Sequence, residues 1–223
     1  MTTISDRATD TAIISPDEDN ITTDSPAPAV NPLRGNPGVV GVPTVIAGAI
    51  GLGLINIGAL PGGAVGATLA IVSTCTAIGL LITTIWAAAL GQNASASLFA
   101  VFLGFYGSYA ALALGMTHGW FGTSAASATE AQVAWLWCWL ITIIMVTLVT
   151  LRLPSSFTLL LGLVDVALAA LLAGTLTGST SLIRVGGVIV FAFVAVAVYL
   201  YADLMFTETG GRGLPLGRPL ITR

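Results

Sequence analysis

Polar and apolar positions divide this chain into a short polar beginning and a long apolar remainder. Residues 1–35 are rich in Thr, Ser, Asp and Pro and show no periodic apolar positions. Such a segment cannot bury enough surface to offset the entropy of ordering, which predicts disorder. From Val39 onward the chain is mostly apolar. Gly, Pro and short polar runs interrupt it about every 20 residues, the length of a helix that crosses a bilayer.

These interruptions divide the apolar part into six predicted transmembrane helices. The polar loop at 119–130 and the Pro-Ser turn at 152–156 are among the clearest breaks. The predicted spans are 39–59, 67–90, 98–117, 131–151, 156–175 and 182–204. The sequence therefore predicts an all-α membrane protein built as a six-transmembrane-helix bundle. Its predicted parts are a disordered acidic tail at 1–35, the membrane domain at 36–205 and a C-terminal tail at 206–223.

The composition supports a membrane protein. Of the 223 residues, 56% are hydrophobic and 8% are charged, and the mean hydropathy is +0.96. A soluble domain carries about 25% charged residues, because water must wet its surface. Between positions 35 and 200 the only charged residues are Glu130, Arg152, Asp165 and Arg184. The chain has no lysine and no basic cluster, which argues against nucleic-acid binding.

The arginines predict the orientation in the membrane. Six spans place both termini on the same side of the bilayer. Six of the seven arginines then lie on that side, and Arg184 alone lies on the other. Because short cytoplasmic segments carry the excess of basic residues, both termini are predicted to be cytoplasmic.

A few polar residues interrupt the predicted helices. Asp165 lies near the middle of the fifth span, where an ionised carboxylate is costly unless it faces water or a partner. It is either a neutral, hydrogen-bonded structural residue or part of a substrate or proton pathway. Asn56, Tyr106 and Ser108 pose the same question, because a buried amide or hydroxyl needs a partner in lipid. Hydrogen bonds between helices and the lining of a polar conduit both remain open.

Enzyme and cofactor chemistry finds no support in the sequence. The single histidine, His118, lies in a loop, and the two cysteines, Cys75 and Cys138, lie in apolar segments. There is no phosphate-binding Gly-Lys-Ser loop and no pair of intramembrane carboxylates. We therefore predict no enzyme activity, no metal site and no cofactor.

Several short motifs occur in a characteristic order. N-P-G-V-V-G starts at Asn36 and Pro37 and ends at Gly41, F-Y-G-S-Y occupies 105–109, and 199–217 contains Y-L, Glu, G-R, L-P and Gly. They resemble the N-P-A-P-L-G-L, S-Y-G-S-F and Y-L…E…F-G-R…L-P-[IL]-G motifs of the acetate uptake transporters, the succinate–acetate permease-like family. The resemblance covers residues 34–217. This chain departs from the family where Val39 replaces a second proline.

The resemblance implies a six-helix protomer with a substrate path through each protomer, assembled as a ring-shaped homohexamer in the plasma membrane. It implies transport of acetate and related small carboxylates, including succinate, often together with a proton. By position, the pore constriction falls on Val45, Tyr106 and Val164, and Asp165 would lie next to it. Together with the cost of polar groups in apolar helices, this predicts Asn56, Ser108 and Asp165 along the substrate path.

The leading functional prediction is a transporter or channel for acetate and related small carboxylates, passive or proton-coupled. Two alternatives remain open at this point. One is a channel for a small neutral solute such as urea or ammonia, and the other is a membrane scaffold or sensor that transports nothing. An intramembrane enzyme would need a nucleophile and a base on facing helices, and the sequence offers no such pair.

Overall fold

The structure is a computed structural model that describes residues 34–61, 64–122 and 124–222. Six of the helices in these residues are long and apolar enough to cross a membrane. They are α1 (Gly38–Asn56), α2 (Val65–Ala89), α3 (Asn93–His118), α4 (Ala128–Thr150), α5 (Ser155–Thr177) and α6 (Thr180–Glu208). The predicted all-α, six-helix fold is confirmed. The predicted disordered tail at 1–35 lies outside the described residues, apart from its last two positions.

Local turn chemistry sets several of the helix ends. Gly119 directly follows α3 and Gly178 directly follows α5, with φ of 69° and 66°. Glycine is favoured at such ends because a side chain in this left-handed conformation would be strained. α6 begins after Ser179, whose hydroxyl accepts a hydrogen bond from the Leu182 N–H at 3.4 Å. This bond satisfies one of the donors that a helix leaves free at its start.

The six helices form a closed ring. α1 packs against α2 and α6, α6 packs against α5, α5 against α4, and α2 against α3. α3 and α4 contact each other more sparsely and complete the ring. Helices that are consecutive in the chain are thus neighbours in space, as short connections require.

Small residues allow the first three helices to approach closely. A Cβ added to Gly41 on α1 would lie 2.5 Å from a ring carbon of Phe99 on α3 and 2.7 Å from the methyl of Thr83 on α2. A Cβ added to Gly79 on α2 would lie 2.5 Å from the methyl of Thr44 on α1. In lipid there is no hydrophobic drive between helices, so close contact of this kind holds them together.

α2 contains a π-helical segment at Ile71–Thr76. Its last residue, Thr76, is fully buried, and the Thr76 hydroxyl donates to the carbonyl oxygen of Thr44 on α1 at 3.0 Å. A π-helical turn offsets the residues that follow it relative to a regular α-helix. The hydroxyl bond therefore fixes this irregular part of α2 against α1.

After α6 the chain reverses at Gly210, where φ is 80°, and residues 211–221 run back along the membrane domain. We refer to residues 211–221 as the C-terminal strap. The Leu214 N–H donates to Asp203 Oδ1 at 2.6 Å, and the Tyr199 hydroxyl donates to the Pro215 carbonyl oxygen at 2.8 Å. Both partners lie on α6. The predicted C-terminal tail therefore starts within α6, which continues to Glu208, and then becomes an ordered strap.

The far part of the strap is attached to the turn between α4 and α5. The Leu216 carbonyl oxygen accepts from the N–H of Ser156 at 3.1 Å and from its hydroxyl at 2.7 Å. The N–H groups of Leu220 and Ile221 both donate to the Leu151 carbonyl oxygen at 3.0 Å. The strap thus joins the end of α6 to the α4–α5 turn on the face of the bundle where α1 begins.

Candidate functional site

Two cavities follow one another along the inside of the helix ring. The larger has a volume of about 280 Å³ and begins at the terminal face of the bundle, beside Asn36 and Asp203. The smaller has a volume of about 50 Å³ and extends toward Asn56 and Leu171, near the opposite face. Most of the lining in both cavities is apolar.

Four of the six helices supply nearly all of this lining. α1, α3, α5 and α6 contribute side chains to both cavities. Among the described residues, α2 contributes none to either cavity and α4 contributes only Thr150, at its end. α2 and α4 instead carry many exposed apolar side chains, including Ile78, Ile82, Ile141 and Met145. The path therefore runs between α1, α3, α5 and α6.

The three residues predicted to form the constriction lie near the junction of the two cavities. Val45 lines the larger cavity, whereas Tyr106 and Val164 line the smaller. The side chain of Tyr106 is only 2% exposed, and its hydroxyl donates to the Val45 carbonyl oxygen at 3.3 Å. This bond is longer than the usual O–H···O distance of about 2.7–2.8 Å, so it is a weak one.

Two of the three residues predicted along the substrate path lie outside both cavities. Asn56, the last residue of α1, lines the smaller cavity. Ser108 lies on the side of α3 that faces α4, where its hydroxyl oxygen accepts hydrogen bonds from the indoles of Trp135 at 2.8 Å and Trp139 at 3.0 Å. The Ser108 hydroxyl thus serves as a shared acceptor that ties α3 to α4.

Asp165 faces α4 as well. Its Oδ2 accepts a hydrogen bond from the Thr147 hydroxyl at 2.7 Å. Its Oδ1 is buried and has no hydrogen-bond partner among the described residues. Asp165 itself lines neither cavity, whereas its neighbour Val164 lines the smaller one. Asp165 is therefore next to the path in sequence and turned toward the α4–α5 contact in space.

The N-terminal signature residues shape the start of α1. The Asn36 side-chain oxygen accepts the Gly38 N–H at 2.9 Å, one of the donors that a helix leaves free at its start. Pro37 is fully buried, and proline suits the start of a helix because its missing N–H would have no partner there. Gly41 provides the close contact with Phe99. Asn36 also lines the larger cavity, so this signature forms part of the terminal mouth.

Charge is concentrated at that mouth. Asp203 is the one charged residue in the lining of either cavity within the described residues. Four exposed arginines surround this face of the bundle, at the start of α1, in the α4–α5 turn and in or beside the strap: Arg34, Arg152, Arg212 and Arg218. Among the described residues of this face they outnumber the acids Asp203 and Glu208, and the resulting excess of positive charge attracts anions.

Two residues at the junction of the cavities were not among the sequence predictions. Phe102 on α3 and Phe193 on α6 line both cavities. Their ring centroids are 6.3 Å apart, and the two side chains are 8% and 3% exposed. A phenylalanine in an apolar helix carries no sequence signal that separates a path-lining ring from a packing one.

Comparison with known proteins identifies the family of this chain and a solved structure with a similar fold. A family model described as the GPR1/FUN34/yaaH family matches residues 21–210. No curated protein sequence gives a significant match. Among solved structures, that of the bacterial acetate channel SatP is similar with a TM-score of 0.74, over 82% of this chain and 99% of that chain. The two sequences are 22% identical, so this likeness describes the fold.

Proposed function

Because the chain belongs to the GPR1/FUN34/yaaH family, we propose that it is a membrane transporter or channel for acetate and related small carboxylates. The observation that carries the proposal is the pair of cavities that follow one another between α1, α3, α5 and α6. The similar fold of the bacterial acetate channel SatP supports acetate as the substrate to test first. The proposal assigns no catalytic step to the chain.

The terminal mouth supports an anionic substrate. α1 begins there, and the start of a helix carries a partial positive charge that attracts anions. The four exposed arginines of this face add a longer-range attraction. Together they raise the local concentration of a small carboxylate at the entrance of the larger cavity.

The apolar lining supports selection against hydrated inorganic ions. An ion that enters a narrow apolar passage must lose its water, and such a passage excludes it by dewetting. Acetate brings a methyl group that can contact the apolar walls, and only its carboxylate needs a polar partner. Tyr106 and Asn56 are the polar residues that line the smaller cavity. We assign the first of these contacts to the Tyr106 hydroxyl, which would exchange its weak bond to Val45 for the carboxylate.

The direct test is uptake of radiolabelled acetate by proteoliposomes that contain the purified protein, at a pH where acetate is ionised. We expect uptake above that of empty liposomes, with inhibition by other small carboxylates such as succinate. Uptake equal to that of empty liposomes would leave the scaffold or sensor alternative. Rapid passage of urea or ammonia without acetate uptake would instead identify a channel for neutral solutes.

We also propose that the chain assembles as a homohexamer ring in the plasma membrane. α2 and α4 support an assembly, because they contribute almost nothing to the path and leave wide apolar faces uncovered within one protomer. Such faces contact either lipid or another copy of the chain. Native mass spectrometry of the protein extracted in mild detergent tests the stoichiometry, and a monomer under conditions that preserve acetate uptake would refute the ring.

A further inference from the structure

We propose that the rings of Phe102 and Phe193 form the barrier of the path and set the size of the largest carboxylate that passes. The identity of the permeating molecule rests on the proposed function, whereas the position of the barrier rests on the geometry alone. Among the described residues, these two side chains are the only ones that line both cavities. The space between the cavities is therefore bounded by both rings.

The helices themselves mark the same level. On α1 and α5 the lining passes from the larger cavity to the smaller within about one turn, which corresponds to 3.6 residues, and on α3 and α6 Phe102 and Phe193 themselves line both cavities. The lining residues on either side of this level are Val45 and Ala49 on α1, Phe99 and Tyr106 on α3, Leu161 and Val164 on α5, and Ala197 and Val190 on α6. Phe102 and Phe193 lie between the members of their own pairs. The barrier is thus a single layer across the bundle.

The two rings are held differently from their neighbour Tyr106. The Tyr106 hydroxyl is bonded to the Val45 carbonyl oxygen, which fixes that ring against α1. A phenylalanine ring has no polar group, so packing alone holds Phe102 and Phe193 in place. The larger cavity of about 280 Å³ borders both rings and so offers space into which either ring can turn. The phenylalanines are therefore the movable part of the layer.

The chemistry of the layer explains how it would discriminate by size. Neither ring offers a donor to a carboxylate, so a solute gains nothing there except contact with its apolar part. Acetate passes with only a small displacement of the rings, whereas methyl branches on the carbon next to the carboxylate widen the solute and force the rings further apart. Packed interiors resist such expansion, because extra volume forces neighbouring side chains from their preferred positions.

The first experiment measures selectivity in proteoliposomes containing Phe102→Ala, Phe193→Ala or both. We expect uptake of pivalate, whose carbon next to the carboxylate carries three methyl groups, to rise about tenfold relative to acetate uptake in the double variant, a change worth about 1.4 kcal/mol in barrier height. Phe191→Ala is the matched control, because Phe191 also lies on α6 but contacts Gly53 and lines neither cavity. An unchanged ratio in the folded double variant would overturn the proposal. Should the alanine variants fail to fold, the leucine variants should show a smaller rise, and no rise would refute the barrier equally.

The second experiment locates the barrier without any carboxylate. In a background with Cys75→Ser and Cys138→Ser, cysteine is introduced by Ala197→Cys in the larger cavity or by Ala167→Cys in the smaller. A negatively charged methanethiosulfonate reagent is added only on the side of the termini. We expect the reagent to label the Ala197→Cys site at a similar rate with and without the two rings. Labelling of the Ala167→Cys site should become about tenfold faster when Phe102 and Phe193 are replaced by alanine.

The two experiments separate failure of the barrier from failure of the proposed function. Equal labelling of the Ala167→Cys site with and without the two rings would refute the barrier, whatever the protein transports. Faster labelling in a protein that takes up no acetate would keep the barrier and refute the substrate. The two results are independent, because the thiol reaction does not require transport.

Discussion

Polar side chains of the same chemical type, inside the bundle, have different hydrogen-bond partners. The Ser108 hydroxyl accepts two indole N–H groups at the α3–α4 contact, whereas the Tyr106 hydroxyl lies at the junction of the cavities. A buried donor without a partner costs about 1–3 kcal/mol. We therefore expect Ser108 to have a structural role, because it accepts the N–H groups of Trp135 and Trp139 together. The sequence placed both hydroxyls in one short motif, and only their partners distinguish their roles.

The role of the Tyr106 hydroxyl can be tested by its removal. We expect Tyr106→Phe to lower acetate uptake several-fold while preserving the folded yield, since the lost bond to Val45 is long and contributes at most about 1 kcal/mol. The measurement is initial uptake at matched protein density. Tyr109→Phe is the control, because Tyr109 lines neither cavity and its ring packs against Trp135. Acetate uptake by the Tyr106→Phe protein equal to that of the unmodified chain would show that the hydroxyl takes no part in acetate passage.

Asp165 gives a second prediction at the scale of a residue. We expect Asp165→Asn to preserve both acetate uptake and its dependence on pH, because the side chain faces Thr147 and lines neither cavity. Asparagine keeps an oxygen that can accept the Thr147 hydroxyl, which makes it the mildest change available. The measurement is initial uptake across a pH series. A flattened pH profile would contradict this expectation and return Asp165 to a proton pathway.

The sequence could identify the polar interruptions but not the directions in which they point. Asn56 and Asp165 both stand out, because polar groups in an apolar helix are costly. Which of them faces the path depends on helix rotation, and helices that are apolar on every side give little periodic signal for it. For the same reason Phe102 and Phe193 could not be distinguished from the other aromatic residues of these helices.

At the scale of the element, the close contact at Gly41 leads to a matched pair of substitutions. We expect Gly41→Ala to destabilise the bundle by about 1–3 kcal/mol, because the new methyl would overlap the Phe99 ring and the Thr83 methyl. Gly107→Ala is the control, since an added Cβ at Gly107 has no neighbour within 4 Å among the described residues. Thermal unfolding in detergent measures both. Equal melting temperatures for the two variants would contradict the packing described here.

The C-terminal strap leads to another prediction about an element. We expect Asp203→Ala to release the strap, because it removes the acceptor of the Leu214 N–H. Hydrogen exchange of residues 211–221 should then accelerate, while exchange within α1 and α5 stays the same. Asp203→Asn keeps an oxygen acceptor and should leave exchange near that of the unmodified chain. Unchanged exchange in the Asp203→Ala protein would show that the other bonds suffice to hold the strap.

Helix positions were predictable where composition changes sharply, as at the turn glycines and the 152–156 break. Two features of the fold could not be predicted from the sequence. The π-helical segment of α2 ends at Thr76, whose hydroxyl bonds to the Thr44 carbonyl oxygen, a contact between residues 32 positions apart. The strap depends on partners at Leu151 and Ser156. Neither partner set is visible in the local sequence, because propensity describes a segment in isolation.

At the scale of the whole molecule, the arginines predict the orientation. The four described arginines at the terminal face oppose Arg184 near the start of α6 at the other face. We expect a C-terminal tag to resist protease added to intact cells, because the excess of arginines predicts that this face lies in the cytoplasm. A tag inserted in the 119–130 loop should be cleaved under the same conditions. The reverse pattern of cleavage would place the termini outside.

The strap also bears on how the protein is made. Residues 211–221 leave the ribosome only after all six helices have been synthesised, whereas the groups that they bind, at Leu151 and Ser156, are synthesised earlier. Until then the Leu151 carbonyl and the Ser156 N–H and hydroxyl bond to water, and the mouth lacks the strap on that side. A translation product that stops just after α6 would therefore contain all six membrane-spanning helices. It would nevertheless lack the segment that joins the last helix to the middle of the chain.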